Sequence, residues 1–278
     1  MKVLVTTFSY ERPNLLRLTM SWLLESRYPG FYLAIFDDDS GSETQDVLFD
    51  FQDMGVITRV PGVLNHTPRS NYHVRAQRCA VLRRAVVDFF LEKDCFDYLV
   101  FKDDDVLTTC KAIQEAIEDF EFLKKTDWAK IGALTLHGIC SHKGYLTVDG
   151  RVFAELDITG EANVIFSKEA LLAAGNHFGP VKGGFADTQF GALREAGFRY
   201  YDRVWPTYEV QHLGIGPNSS TIHQQERVPS WNVKPYECTY KRRDFGRELQ
   251  VPGFDLNFFK HTAMKEGAEE AARLYPAR

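Results

Sequence analysis

Apolar and polar positions along this chain switch repeatedly between two periods. Residues 2–8 (KVLVTTF) are a short β-branched, apolar run, the pattern of a buried strand. In NLLRLTMSWLLES, Leu15, Leu18, Trp22 and Leu23 recur at helical spacing behind Pro13, a residue suited to a helix start, and YPG at 28–30 closes the segment. FYLAIF (31–36) predicts a second strand, ETQDVLFDFQDMG a helix closed by Gly55, and VITRV a short third strand. NYHVRAQRCAVLRRAVVDFFLEK predicts a long helix with a basic face, FDYLVF (96–101) a strand, and CKAIQEAIEDFEFLKK an amphipathic helix. Strands alternating with helices through residue 125 predict βαβ units and a mostly parallel sheet.

The pattern changes after that point. KIGALTL (130–136) predicts a strand and GYLTVDGRVFAEL a hairpin turning at Asp149-Gly150. ANVIFS reads as a strand, KEALLAAG as a short helix, and ADTQFGALREAG as a helix closed by Gly197. FRYYDRV and YEVQHLG read as late strands, and from about Asn218 the periodicity weakens. No internal repeat or low-complexity segment interrupts the order.

Composition narrows the class. The chain has 278 residues, 44% hydrophobic and 26% charged, with a net charge of −5, which suits one large α/β unit and gives no global electrostatic case for nucleic acid. Five scattered cysteines with no C-x-x-C pair argue for a reducing compartment and against a disulfide framework or a zinc site. No apolar run approaches the roughly 20 residues of a membrane span, and Glu11 comes too early for a signal peptide. A cytoplasmic protein is the expectation.

Two acidic blocks carry the candidate chemistry. YLVFKDDDVLTT runs a core strand into Asp103, Asp104 and Asp105, and LAIFDDDSGS runs another into Asp37, Asp38 and Asp39. Ligands of open α/β sheets bind beyond the carboxyl ends of strands. In an extended segment Asp103 and Asp105 point one way and Asp104 the other. Two carboxylates on one side suit a hard divalent cation that also carries phosphate. Asp, Ser and Gly are equally turn and N-cap residues, so a solvated turn accounts for either block as well, the second above all.

The order of these stretches resembles a GT-A-fold glycosyltransferase, near the large inverting family 2. VTTFSYERP resembles that family's opening strand and nucleotide loop, FDDDSGSET its strand-end acidic motif, and FKDDDV its Asp-x-Asp motif. GEANVIFSKEALLAAGNHF and GGFADTQFGALREAGFRYY resemble its acceptor-side segment, and VQHLGIGPNSS a late histidine motif. The likeness covers residues 1–220. It departs at Ala186-Asp187, where the family has two carboxylates, at the third aspartate of DDDS, and after about residue 224.

The resemblance implies an α/β fold of GT-A (Rossmann-like) type, with a mostly parallel central sheet, helices on both faces and a smaller acceptor-side β region. Residues 1–220 would be the catalytic domain, divided into a nucleotide-sugar half (1–106) and an acceptor half (107–220), with 221–278 an extension packing on the core. It implies a nucleotide-sugar donor, UDP-sugar foremost, and Mn²⁺ or Mg²⁺. Asp103, Asp105 and His212 would hold the metal and Asp187 would be the general base. Thr6, Thr7, Phe8, Tyr10, Arg12, Asp37, Asp39, Asp103 and Asp104 would line the nucleotide-sugar site. Arg75 and Arg78, on the basic helix, are candidates for the diphosphate, with a structural basic face the competing account. Trp205, His137 and Gly184 are candidates for acceptor contact, though packing or a turn explains each of them too. The acceptor stays open among glycans, proteins, small molecules and a modified nucleic-acid base. The alternatives are a non-catalytic nucleotide-sugar-binding protein and a nucleotidyltransferase, the latter disfavoured because TTFSYERP has no glycine.

Overall fold

The computed structural model describes residues 1–25, 28–60, 72–126, 130–136, 139–159, 163–179, 187–205, 208 and 210–212; within these, the side chains of 25, 72–76, 139–143, 157–159, 187, 204–205 and 211–212 are not described. The elements, in chain order, are β1 (Val3–Ser9), α1 (Pro13–Glu25), β2 (Phe31–Asp37), α2 (Ser42–Asp53), β3 (Ile57–Arg59), α3 (Tyr72–Glu92), β4 (Tyr98–Asp103), β5 (Val106–Thr108) and α4 (Cys110–Lys124). They continue with β6 (Ile131–Thr135), β7 (Ile139–Val148), β8 (Arg151–Thr159), β9 (Asn163–Ser167), α5 (Lys168–Ala174), α6 (Asp187–Glu195), β10 (Arg199–Trp205) and β11 (Val210–His212). Every element expected from the hydrophobic pattern is present, and β5 is an addition.

Nine strands form one sheet in the order β3-β2-β1-β4-β9-β6-β10-β8-β7. Its β3-β2-β1-β4 core is parallel throughout. Antiparallel pairing begins where β9 inserts between β4 and β6, and the β7–β8 hairpin finishes the far edge. That hairpin turns at Asp149 and Gly150, with φ of 47° and 74°. Two positive φ values in a two-residue loop are what the right-handed twist of the flanking strands selects, and Asp-Gly tolerates them.

Alternate strand residues supply the two faces. Val3, Val5, Leu33, Ile35 and Val100 face α1, α2 and α4, packing on Leu16, Met20, Phe51, Ile113 and Phe120. Leu4, Phe36, Leu99, Phe101 and Phe166 face the other way, onto Val86 and Phe90 of α3, Leu171 of α5, and Phe190 and Leu193 of α6. Each fully buried side chain of this size contributes about 1.5–3 kcal/mol, so a one-residue slip of β1 would forfeit both faces at once. The result is the α/β sandwich that the alternation of periods predicts. Among the described residues, no helix is long and apolar enough to cross a membrane.

The chain leaves β1 toward β2 and β3, then crosses back to β4 on β1's other side. The crevice beyond the carboxyl ends of β1 and β4 is therefore the sheet's switch point, the place where ligands of such sheets bind.

Candidate active site

Both acidic blocks open at this switch point. Asp37 pairs with Ser9 across β2–β1, and Asp103 with Phe8 across β4–β1. The two blocks flank the end of β1.

The block at β2 is a wound loop. Asp37 is fully buried, and its carboxylate accepts from the Ser40 amide (2.8 Å), the Ser40 hydroxyl (2.6 Å) and Gln45 Nε2 (3.1 Å). Burial raises its pKa and the Ser40 hydrogen bonds oppose that rise. Asp38 is also buried and meets Arg78 of α3 in a two-pronged ion pair, with Nη2 2.8 Å and Nε 3.0 Å from Oδ1. Arg78 is thus engaged with a carboxylate at the end of β2. Asp39 has φ of 58°, a left-handed conformation that Asp adopts more readily than most side chains. This is the position where the resembled motif has glycine. Two hydrogen bonds join this loop to the one after β1: the Glu11 amide donates to Ser40 Oγ (3.0 Å) and the Gly41 amide to Glu11 Oε1 (2.9 Å).

The block at β4 is arranged differently. The alternation expected across Asp103–Asp105 needs extended backbone, but β4 ends at Asp103, and Asp104 and Asp105 form the turn into β5. Asp104 and Asp105 consequently converge on one guanidinium: Arg12 Nη2 lies 3.0 Å from Asp104 Oδ1, and Arg12 Nη1 lies 2.9 Å from Asp105 Oδ2. Asp103 stands apart, its side chain 30% exposed and its Oδ1 3.4 Å from Arg83 Nη2. The Arg83 guanidinium lies 4.6 Å from the centre of the Phe8 ring, which fixes it beneath the block. Lys102, fully buried, donates from Nζ to the Asp103 carbonyl at 3.1 Å. Burial pulls its ammonium down to about 8, against the pull of the three aspartates. Burial likewise pushes the Asp104 carboxyl up despite Arg12. For Arg12 burial is again the largest influence, but Asp104 and Asp105 together outweigh it and hold the guanidinium charged. Two guanidiniums therefore meet the three carboxylates, and the Lys102 ammonium sits on the Asp103 carbonyl beside them. Arg12, Arg83 and Lys102 together offset part of the triplet's negative charge.

The turn after Asp105 creates β5, and β5 pairs antiparallel with β11. The register sets His212 opposite Val106, the residue after Asp105. A histidine 107 positions from the acid block is thereby brought beside it by backbone pairing alone (~5 Å between paired strands).

The topology also places the start of α6. β4, β6 and β10 run in one direction, because β9 is antiparallel to both β4 and β6 while β6 and β10 are parallel. α6 leads into β10 through a short turn in which the amides of Gly197 and Phe198 donate to the carbonyls of Arg194 and Leu193. α6 therefore runs back along the sheet, with Phe190 against Tyr200 at 4.8 Å between ring centres. Its first residue, Asp187, lies at the same carboxyl edge as Asp103.

The other sequence candidates divide by location. Thr6 and Thr7 are fully buried in β1, with their hydroxyls on the Val100 carbonyl (2.8 Å) and Met20 Sδ (3.2 Å). Their side chains support the strand. Phe8 packs edge-on against Phe101. Tyr10 and Arg12 occupy the loop between β1 and α1. Arg75 lies in α3 and Trp205 ends β10, their side chains among those not described, while His137 and Gly184 fall outside the described residues, as does the extension 221–278. The pairings of Asp38, Arg83 and Lys102 have no counterpart among the sequence candidates. Arg83 carried a faint signal, since it continues the basic run of α3 that contains Arg78.

Among the described side chains, no three His, Cys, Asp or Glu groups converge into a ready cluster for a metal. The residues nonetheless suit a hard divalent ion. Oxygen donors dominate, a histidine is among the residues of the adjoining strand, and Asp104 Oδ2 is buried without a hydrogen-bond partner.

No protein-family model matches the sequence, and no curated protein matches it. Similar solved structures include the mannosyltransferase PcManGT of Pyrobaculum calidifontis, in complex with GDP-Man and Mn²⁺, at 15% identity over 72% of this chain and 53% of that one, with a TM-score of 0.49. Residues 1–349 of S. aureus TarS, in complex with UDP-GlcNAc, are similar at 13% identity over 75% of this chain and 57% of that one, with a TM-score of 0.46. This chain thus spans little more than half the length of either.

Proposed function

We propose that this protein is a GT-A-type glycosyltransferase that moves a sugar, with inversion, from a nucleotide-sugar, UDP-sugar foremost, to a hydroxyl acceptor. The observation that carries this reading is the β5–β11 pairing, which brings His212 beside Asp103–Asp105 at the β1/β4 switch point. Asp103, Asp105 and His212 would hold Mn²⁺ or Mg²⁺, which when bound offsets charge developing on the leaving diphosphate.

The chain's own residues divide the remaining work. The loop after β1, tied to the β2 block by Glu11 and Ser40, forms the nucleotide side. Arg12, within reach of Asp104 and Asp105, is a second positive group beside the diphosphate position. Asp187 is the general base that takes the acceptor hydroxyl's proton as its oxygen attacks the sugar carbon. It is the first residue of α6, at the carboxyl edge of the sheet that also carries Asp103. A single base with no covalent partner gives inversion.

The test is nucleotide release from a panel of nucleotide-sugars with Mn²⁺, with and without candidate acceptors, in wild type and Asp187→Asn. The variant is expected to bind nucleotide as wild type does and to lose transfer by about 10²- to 10⁴-fold, the scale of one positioned base. Its loss should lie in turnover and not in donor affinity. Near-normal turnover in Asp187→Asn, or no release from any donor by wild type, would refute the assignment.

A further inference from the structure

A buried charge cluster lies outside the site described above. Asp119, in the middle of α4, is 1% exposed. An aspartate is a poor helix former and a costly group to bury unless paired. Asp119 is held from three directions. Arg151 of β8 reaches Oδ1 at 2.7 Å, Arg203 of β10 reaches Oδ2 at 2.7 Å, and the Tyr208 hydroxyl donates to Oδ2 at 2.7 Å. Arg203 also approaches Glu115 Oε2 at 3.4 Å and lies 3.8 Å from the centre of the Tyr208 ring. Two of the three ties join α4 to the main sheet. The third does not, because Tyr208 belongs to the connection between β10 and β11.

That connection bears on His212. β5 and β11 are three residues each, and together they form a separate two-stranded sheet. A ribbon so short has little stability of its own. β5, between β4 and α4 in the chain, is itself buried, whereas β11 is attached to the body through Tyr208, at 0% exposure, and Val210, at 1%, both in the same core as Val106 and α4. The Val210 amide donates to the Tyr208 carbonyl at 3.0 Å, so the anchored tyrosine is coupled to the first residue of β11. Burial and the Asp119 carboxylate hold the Tyr208 hydroxyl well above its ordinary pKa, which leaves it a donor at any working pH.

We propose that the Tyr208–Asp119 hydrogen bond is a strut that sets the β5–β11 ribbon, making Tyr208 a positioning residue for His212. The inference rests on the metal reading above, in which His212 is a ligand. The strut acts through His212 and touches no substrate.

A double-mutant cycle on the full chain tests this, with Mn²⁺ alone as the probe and the electron paramagnetic resonance signal of the free ion as the readout. Tyr208→Phe removes one hydroxyl and keeps the ring over Arg203. In the wild-type background it should weaken Mn²⁺ binding on the order of tenfold, the lower end of what supporting residues contribute to metal affinity. In a His212→Ala background it should change affinity by less than about twofold, because the residue it positions is gone. Hydrogen exchange at Val106–Thr108 and Val210–His212 should quicken while the amides of β1 and β2 keep their rates. Equal losses in the two backgrounds, or wild-type affinity in Tyr208→Phe, would overturn the proposal. If His212→Ala alone leaves Mn²⁺ binding intact, the ligand role of His212 fails in its own arm and takes the positioning role with it.

Discussion

The two aspartate triplets have nearly the same sequence and nearly the same place, at the ends of the strands that flank β1, yet their charge is handled in opposite ways. At β2 the first carboxylate is consumed by its own loop, the second by one arginine in a two-pronged pair, and the third sits in a left-handed turn. The charge is disposed of locally. At β4 two carboxylates share a single guanidinium, the third is part exposed, and a lysine is buried beneath them. The residues immediately after each triplet make the difference. Ser40-Gly41 leads into α2 and lets the β2 loop close on itself, whereas Val106 begins a new strand that takes Asp104 and Asp105 away from local donors. One triplet is a built turn. The other shares one buried guanidinium between two carboxylates and leaves the third, Asp103, 30% exposed.

Substitutions at the two blocks should separate along this line. The largest effect on stability is expected from Asp38→Ala, which leaves Arg78 buried without the carboxylate it grips. Removing one partner of such a pair costs about 3–5 kcal/mol, readable as a fall in the denaturant midpoint. Asp103→Ala should cost less, no more than about 2 kcal/mol, because its tie to the buried Arg83 is longer, at 3.4 Å, and its own side chain is 30% exposed. Equal costs would erase the distinction between the blocks. The smallest effect belongs to Asp39→Gly. Glycine adopts the left-handed region without the ~1 kcal/mol penalty of a side chain, so this variant should melt at or slightly above wild type. A clear loss of stability would mean that the Asp39 carboxylate carries more of the loop than its backbone conformation implies.

Much of this arrangement was legible in the sequence, and the limits come from distance along the chain. Period-two and helical patterns locate the strands and helices because each is a local signal. The same holds for the Asp149-Gly150 hairpin, whose turn chemistry lies in two adjacent residues. The position of the β4 triplet was legible too. Its counter-charges were not: Arg12 lies 93 positions from Asp105, and nothing local marks it as their partner. Asp103 and Asp105 do not alternate with Asp104 as expected, because β4 ends at Asp103 and a strand end does not announce itself inside a run of identical residues. β5 escaped notice since VLT at 106–108 gains its partner only from β11, more than 100 residues later. Asp119 reads as one more charge on an amphipathic helix until Arg151, Arg203 and Tyr208 are brought to it from three separate segments.

The central claim is that the β4 triplet, and not the β2 triplet, holds the catalytic cation. The direct measurement is a Mn²⁺ titration in the presence of UDP, comparing wild type, the Asp103→Asn/Asp105→Asn double variant and Asp37→Asn. These substitutions keep side-chain size, remove the charge and turn one acceptor oxygen into a donor. The account predicts saturable binding by wild type and by Asp37→Asn, with binding abolished in the double variant. Wild-type affinity in the double variant, or no Mn²⁺ binding by the wild-type protein, would contradict it.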